Sequence, residues 1–95
     1  MVDRTPLTDG ERSGLASRLS AWTLDGEYLR RTFTFTDFAE AWAFMGSVAV
    51  VAEALQHHPD WSNSWSRVEI GVTTHSAGGL TRLDVAFAEA VDALA

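Results

Sequence analysis

The sequence predicts an α+β fold: a two-layer sandwich in which a four-stranded antiparallel sheet carries three helices on one face, in the order α-β-β-α-β-β-α. Three observations predict it. Capping-box patterns recur at Thr8-Asp9-Gly10-Glu11, Asp37-Phe38-Ala39-Glu40 and Thr81-Arg82-Leu83-Asp84, each ahead of apolar residues spaced three and four apart. Asp25-Gly26 stands between two apolar runs, a strong hairpin signal because glycine tolerates the positive φ of a tight turn. Val68, Ile70, Val72 and Thr74 alternate with other residues at the two-residue period of a strand. Hairpin-linked strands pair antiparallel, and one-sided helices need one sheet face to cover.

In chain order, the first helix begins at Thr8, runs through Leu15 and Leu19 and fades near Ser20. Trp22-Thr23-Leu24 and Glu27 to Phe35 are the first two strands. Leu29, Phe33 and Phe35 share one strand face, which Arg31 interrupts. The second helix places Phe38, Ala41, Trp42, Met45, Val48, Ala49, Ala52 and Leu55 on its apolar face. Pro59 limits it, since the residue before a proline avoids the α region, so the helix is expected to end near His57. Asp60 to Ser66 has room for a short strand, and Arg67 to Thr74 forms a clearer one. Ala77-Gly78-Gly79 marks a turn. The last helix presents Leu83, Ala86, Phe87, Ala90, Val91 and Leu94.

Composition narrows the function. Ninety-five residues imply a single domain, 1–95, with enough chain for one core without staples. With 46% hydrophobic and 21% charged residues the chain is an ordinary globular one. It has no cysteine, which excludes disulfides and thiolate zinc sites. A net charge of -6 argues against direct contact with a nucleic-acid backbone. Gly46, Ser47 and Glu53 interrupt the longest hydrophobic neighbourhood, Ala41 to Leu55, so no membrane span is expected. Met1 to Glu11 lacks the basic and apolar regions of a signal peptide. A soluble, cytoplasmic protein is expected.

The residues able to do chemistry are few. There is no nucleophilic cysteine, no nucleophile-elbow serine and no phosphate loop; the chain has no lysine at all. What remains is Glu53-Ala54-Leu55-Gln56-His57-His58-Pro59-Asp60-Trp61, then Trp65, Thr73-Thr74-His75-Ser76 and Asp84. Glu53 and His57 stand four apart and share a helix face if the last turn is regular. His57 and His58 then point about 100° apart and reach one ligand from two directions. An unperturbed pKa of about 6.5 suits histidine to proton transfer near neutrality. Each residue also has a plain reading. Histidines favour helix C-termini through the macrodipole. Asp84 fits an N-terminal cap, Glu53 and Asp60 fit solvated carboxylates, and Trp61 and Trp65 fit core or edge packing. A three-histidine metal site is disfavoured, because adjacent helical residues rarely ligate one ion together.

Together these residues resemble the pterin-4a-carbinolamine dehydratases. The resemblance rests on Glu53-x-x-x-His57-His58-Pro59-x-Trp61, the aromatic Trp65, Thr73-Thr74-His75, and Gly78-Gly79-Leu80-Thr81-x-x-Asp84. Leu29-Arg30-Arg31-Thr32-Phe33-Thr34-Phe35, Asp37-Phe38, Ala43-Phe44-Met45, Leu7-Thr8-Asp9 and Trp22 extend it to nearly the whole chain. Trp65 stands where the family more often has tyrosine, which removes a hydroxyl and keeps an aromatic face.

The resemblance implies a four-stranded antiparallel sheet with helices on one face, in agreement with the order derived above. It implies a hydro-lyase, 4a-hydroxytetrahydrobiopterin dehydratase, active in tetrahydrobiopterin recycling. His57, His58 and His75 are its expected catalytic residues. Glu53, Gln56, Pro59, Trp61, Trp65, Thr73, Thr74, Ser76 and Asp84 are expected to support them or bind substrate. His57 and His75 are placed nearest the transferred protons, with His58 and Glu53 orienting the pterin or tuning the pair; that division rests on Glu53 sharing a face with His57. No metal and no cofactor are expected, the pterin being the substrate. Expected partners are further copies of the chain in a homodimer or homotetramer, since family members dimerise by sheet extension and form tetramers through helices. An aromatic amino acid hydroxylase would act in the same pathway. Relatives also serve as a dimerisation cofactor of a homeodomain transcription factor and in Rubisco assembly, so a protein-binding module is the alternative reading.

Overall fold

A computed structural model describes residues 3–95. Its elements are α1 (Asp9–Ser13), α2 (Leu15–Arg18), β1 (Thr23–Asp25), β2 (Tyr28–Thr34), α3 (Phe38–Leu55), β3 (Asp60–Ser64), β4 (Arg67–Val72), a 3-10 turn (His75–Ala77) and α4 (Arg82–Asp92). The four strands form one antiparallel sheet in the order β1-β2-β4-β3. This is the predicted α+β architecture, with two refinements. The uncertain strand at Asp60 is real. The first helix is two short ones, broken at Gly14, whose αR backbone caps both.

The capping boxes form as local chemistry dictates. Thr8 Oγ1 accepts from the Glu11 amide and Glu11 Oε1 accepts from the Thr8 amide. At α3 the box is displaced by one residue: Asp37 accepts from the Glu40 amide, but Glu40 reaches the Thr36 amide. The first hairpin turns at Gly26-Glu27, between the paired Asp25 and Tyr28, with Gly26 at φ 58°.

Leu29 and Phe33 of β2 face the helices with Val68, Ile70 and Val72 of β4, and all five are buried. Arg31 lies on that same face. It survives there because its guanidinium packs over the Phe33 ring and pairs with Asp92 at the end of α4, which also accepts from the Trp22 indole. The opposite sheet face carries exposed Arg30, Thr32, Ser62 and Glu69.

Two helix faces differ from expectation. In α3 the buried residues are Ala41, Phe44, Val48 and Ala52, whereas Phe38, Trp42 and Ala49 are exposed. The helix is apolar nearly all round, so its periodicity does not single out the inward face. By length and a mean hydropathy of 1.4 it is also apolar enough to cross a membrane, despite the interruptions counted above. Here it lies along the sheet. In α4 Val85 and Ala88 are buried while Ala86 is exposed, and Leu94 lies exposed beyond the helix end.

Candidate active site

The site begins where α3 stops. Regular helix ends at Leu55, not His57, because Gln56 turns left-handed at φ 52°. The His57 amide then donates to the Ala52 carbonyl and the Gln56 amide to the Glu53 carbonyl, the paired bonds of a Schellman cap. This reversal corrects the expectation that Glu53 and His57 share a helix face. Glu53 instead meets His58, its Oε1 lying 2.9 Å from Nε2, with both side chains well exposed.

His57 is swung into the interior. Its side chain is 8% exposed, its ring edge meets Phe87, and its Nε2 lies 2.5 Å from Asp84 Oδ1. Asp84 is fully buried at the start of α4. Its second oxygen accepts from Thr74 Oγ1 and from the Thr81 amide, both at 2.8 Å, and Thr81 Oγ1 lies 2.9 Å from Thr74 Oγ1. A carboxylate only accepts, so His57 donates from Nε2, and Nδ1 is the nitrogen left free in the neutral ring. Among the described residues no buried side-chain nitrogen or oxygen lacks a partner.

His75 arrives from the other direction, on the 3-10 turn that follows Thr74. It is exposed; its Nε2 lies 3.8 Å from Asp60 Oδ2 and its ring meets Tyr28 edge to face. Tyr28 donates its hydroxyl to the same Asp60 oxygen at 3.0 Å, and this bond pushes the phenol up from its ordinary pKa. Asp60 was expected to be only a surface carboxylate, and Tyr28 was not foreseen at all. Their pairing spans two strands and 32 residues, for which local spacing holds no signal.

The three histidines are linked partly through contacts and partly through short stretches of chain. His58 and Asp60 are two residues apart, at most about 7 Å between Cα atoms, and Asp60 faces His75. His75 follows Thr74, which bonds to the Asp84 that holds His57. Pro59 and the buried Thr73 flank the cluster, Gln56 and Ser76 are exposed beside it, and Trp61 follows Asp60, the first residue of β3. Trp65 is not brought in. It sits at φ 51° in the β3–β4 turn, about 16 Å along the strand from Asp60 and well exposed. A groove of about 760 Å³ crosses the open sheet face, and Asp60 and Trp61 belong to its wall. Among the described residues no group of three or more His, Cys, Asp or Glu side chains is arranged to hold a metal ion.

Residues 5–94 match the family model described as pterin 4 alpha carbinolamine dehydratase. The chain is 53% identical over 92 residues to a protein of Rhizorhabdus wittichii named "Putative pterin-4-alpha-carbinolamine dehydratase", covering 95% of each. It is 50% identical to a protein of the same name from Synechococcus sp. strain WH7803, covering 93% of this chain and 95% of the other. A crystal structure described as a transcriptional coactivator/pterin dehydratase from Brucella melitensis superposes with a TM-score of 0.88 at 40% identity, over 96% of this chain and 99% of that one. A pterin dehydratase-like protein identified as a RuBisCO assembly factor in the alpha-carboxysome superposes at 0.67 and 28% identity, over 78% and 88%. The fold and the histidine cluster together define a pterin dehydratase-like protein. The chain belongs to the pterin 4 alpha carbinolamine dehydratase family.

Proposed function

We propose that this chain is a 4a-hydroxytetrahydrobiopterin dehydratase, a single-domain cytoplasmic hydro-lyase acting in tetrahydrobiopterin recycling. One observation carries the reading: two exposed imidazoles, His58 and His75, each have a carboxylate at hand, Glu53 and Asp60 respectively, and Asp60 follows His58 by two residues in the chain. The reaction removes water from a tetrahydropterin that bears a hydroxyl at C4a. The C4a–O bond breaks as the departing hydroxyl takes a proton, the N5 proton leaves, and the N5 electron pair forms the new C=N bond of quinonoid dihydropterin. The steps need one acid and one base. They require no metal, nucleophile or redox cofactor. A positioned acid or base contributes typically about 10²–10⁴-fold.

This reading divides the labour differently from the sequence expectation. His57 is buried and committed at Nε2 to Asp84, so its role in this reading is to hold the chain reversal that presents His58. His58 and His75 exchange the protons, while Glu53, Asp60 and Tyr28 orient their rings. Gln56, Pro59, Thr73, Thr74 and Ser76 shape the surroundings, and Trp61 offers a face to the flat bicyclic ring. Trp65, distant within the chain, would reach a pterin site only on a neighbouring copy. A homodimer or homotetramer supports this arrangement, and an aromatic amino acid hydroxylase would supply the substrate.

The test is the rate of 4a-hydroxytetrahydropterin dehydration, followed by ultraviolet absorbance, for the intact protein and a His58→Ala/His75→Ala double variant. Acceleration lost in the variant is expected; no acceleration by the intact protein sinks the reading. The second reading is a protein-binding module of the coactivator or Rubisco-assembly kind. It draws on the exposed Trp42 and Val50 of α3 and on the two solved relatives. It predicts a biological role that survives loss of both exposed histidines.

A further inference from the structure

His75 rides on a loop that buries no residue of its own. Residues 75–78 are all exposed, and Gly78 adopts φ 77°. The loop is closed at its base by two mutual backbone bonds, Thr74 amide to Gly79 carbonyl and Gly79 amide to Thr74 carbonyl, both at 3.2 Å. Asp84 and Thr81 hold the Thr74 side of that base through its hydroxyl, and a side chain from the first hairpin grips the Gly79 side. Glu27, in the β1–β2 turn, accepts from the Leu80 amide at 3.1 Å. Its carboxylate lies against the bare face of Gly79, where an added Cβ would stand 2.2 Å from Oε1. Arg12 of α1 holds the same carboxylate through two nitrogens, at 3.0 and 2.9 Å.

We propose that Glu27 is a positioning residue for His75: clamped by Arg12, it fixes the Gly79–Leu80 peptide and so sets where the loop presents the imidazole. The proposal rests on the reading that His75 takes part in proton transfer. Three features separate this contact from an ordinary surface ion pair, which contributes little to global stability. The carboxylate uses one oxygen for a backbone amide rather than for solvent. It occupies space that only glycine leaves open. Its target adjoins the closed base of a loop with no buried residue of its own.

Glu27→Ala and Gly79→Ala disrupt the contact from opposite sides, one by deleting the acceptor and the other by expelling it. Both are expected to speed hydrogen exchange at the Leu80 amide about tenfold, as loss of one charge-assisted hydrogen bond implies. Both should displace the ring signals of His75 in the NMR spectrum and leave those of His58 in place. Glu27→Gln, which keeps an acceptor for Leu80 but loses the charge that holds Arg12, should fall between. The dehydration rate should drop about tenfold in Glu27→Ala, and the same change in a His75→Ala background should alter it by less than about twofold. Unchanged Leu80 exchange, equal movement of the His58 signals, or an undiminished loss in the His75→Ala background would overturn the proposal. If the intact protein does not dehydrate the pterin, the functional reading falls, while the exchange and ring signals still decide whether Glu27 sets His75.

Discussion

His57 donates from Nε2 to Asp84, and Asp84 in turn holds the first turn of α4 through the Thr81 amide. One buried carboxylate thus joins the end of α3 to the start of α4. Asp84→Asn keeps an oxygen for Thr74 and Thr81 but turns an N–H₂ toward His57. The ring must then accept at Nε2 and carry its proton on Nδ1. We expect the two ring nitrogens to exchange their 15N signatures, with a stability loss of about 1–3 kcal/mol. Asp84→Ala leaves the Thr81 amide and His57 unpaired in the interior and should cost about 3–5 kcal/mol in urea unfolding. An unaltered tautomer in Asp84→Asn would refute the assignment.

The exposed histidines should behave oppositely. His58 and His75 are largely solvent-accessible, so their alanine variants should unfold within about 0.5 kcal/mol of the intact protein. Their dehydration rates should nevertheless fall by about 10²-fold or more each. Glu53→Gln, which removes the charge beside His58, should fall by less than His58→Ala. A His57→Ala variant that stays folded and loses less activity than either exposed variant would support the division proposed here.

Gln56 is a side-chain-bearing residue in a left-handed cap where glycine is favoured. Gln56→Gly should therefore raise stability, by up to about 1 kcal/mol. A decrease would mean that the Gln56 side chain contributes more than its backbone conformation costs. If the gain in stability comes with weaker substrate binding, Gln56 contacts the pterin.

Acid should loosen the N-terminal layer first. Hydrogen bonds from the Thr8 amide and Arg82 hold the Glu11 carboxyl below its usual range, and Arg12 with the Leu80 amide does the same for Glu27. A depressed carboxyl pKa contributes stability that is present above the ordinary value of 4.5 and lost as pH falls through the lower folded value. The urea midpoint should accordingly drop as pH falls below 4.5, and a Glu11→Gln/Glu27→Gln variant should show a shallower dependence. Equal slopes would mean that these ties do not persist in solution.

The outward face of α3 is expected to hold copies together. Trp42 is 62% and Val50 70% exposed, unusual positions for large apolar side chains on one helix. Trp42→Glu or Val50→Glu should leave the fold intact and lower the mass measured by light scattering. An unchanged mass would exclude this face as the contact.

Much of the fold was legible because its signals are local. Thr8, Asp37 and Thr81 begin helices with the residues that bond their own first turns. Val68, Ile70 and Val72 name the inner face of β4 by alternation alone. Sheet order was not legible, since β2 pairs with β4 rather than with the next strand in sequence. The inward face of α3 was misplaced toward Phe38 and Trp42 because apolar residues nearly encircle that helix. Around the adjacent histidines the expectation failed at one residue, Gln56. Helical periodicity carried through Gln56 gives Glu53 to His57; the left-handed cap gives it to His58. Glutamine has no marked preference for positive φ, and Pro59 signals a boundary without saying that the chain reverses before it. Asp60, Tyr28 and Glu27 act across strands and loops, where spacing along the chain carries no information.

Asp84 is required by the fold whether or not the chain dehydrates a pterin, because it begins α4 and answers the buried imidazole. A descendant that abandoned dehydration would still need the carboxylate to begin α4 and the buried imidazole to answer it. Such a lineage would keep Asp84 and His57 for the fold alone. His58 and His75 have no comparable debt to the interior, so drift would erase them first. On the proposed reading, loss of the solvent-facing pair, and not of Asp84 and His57, would mark the change.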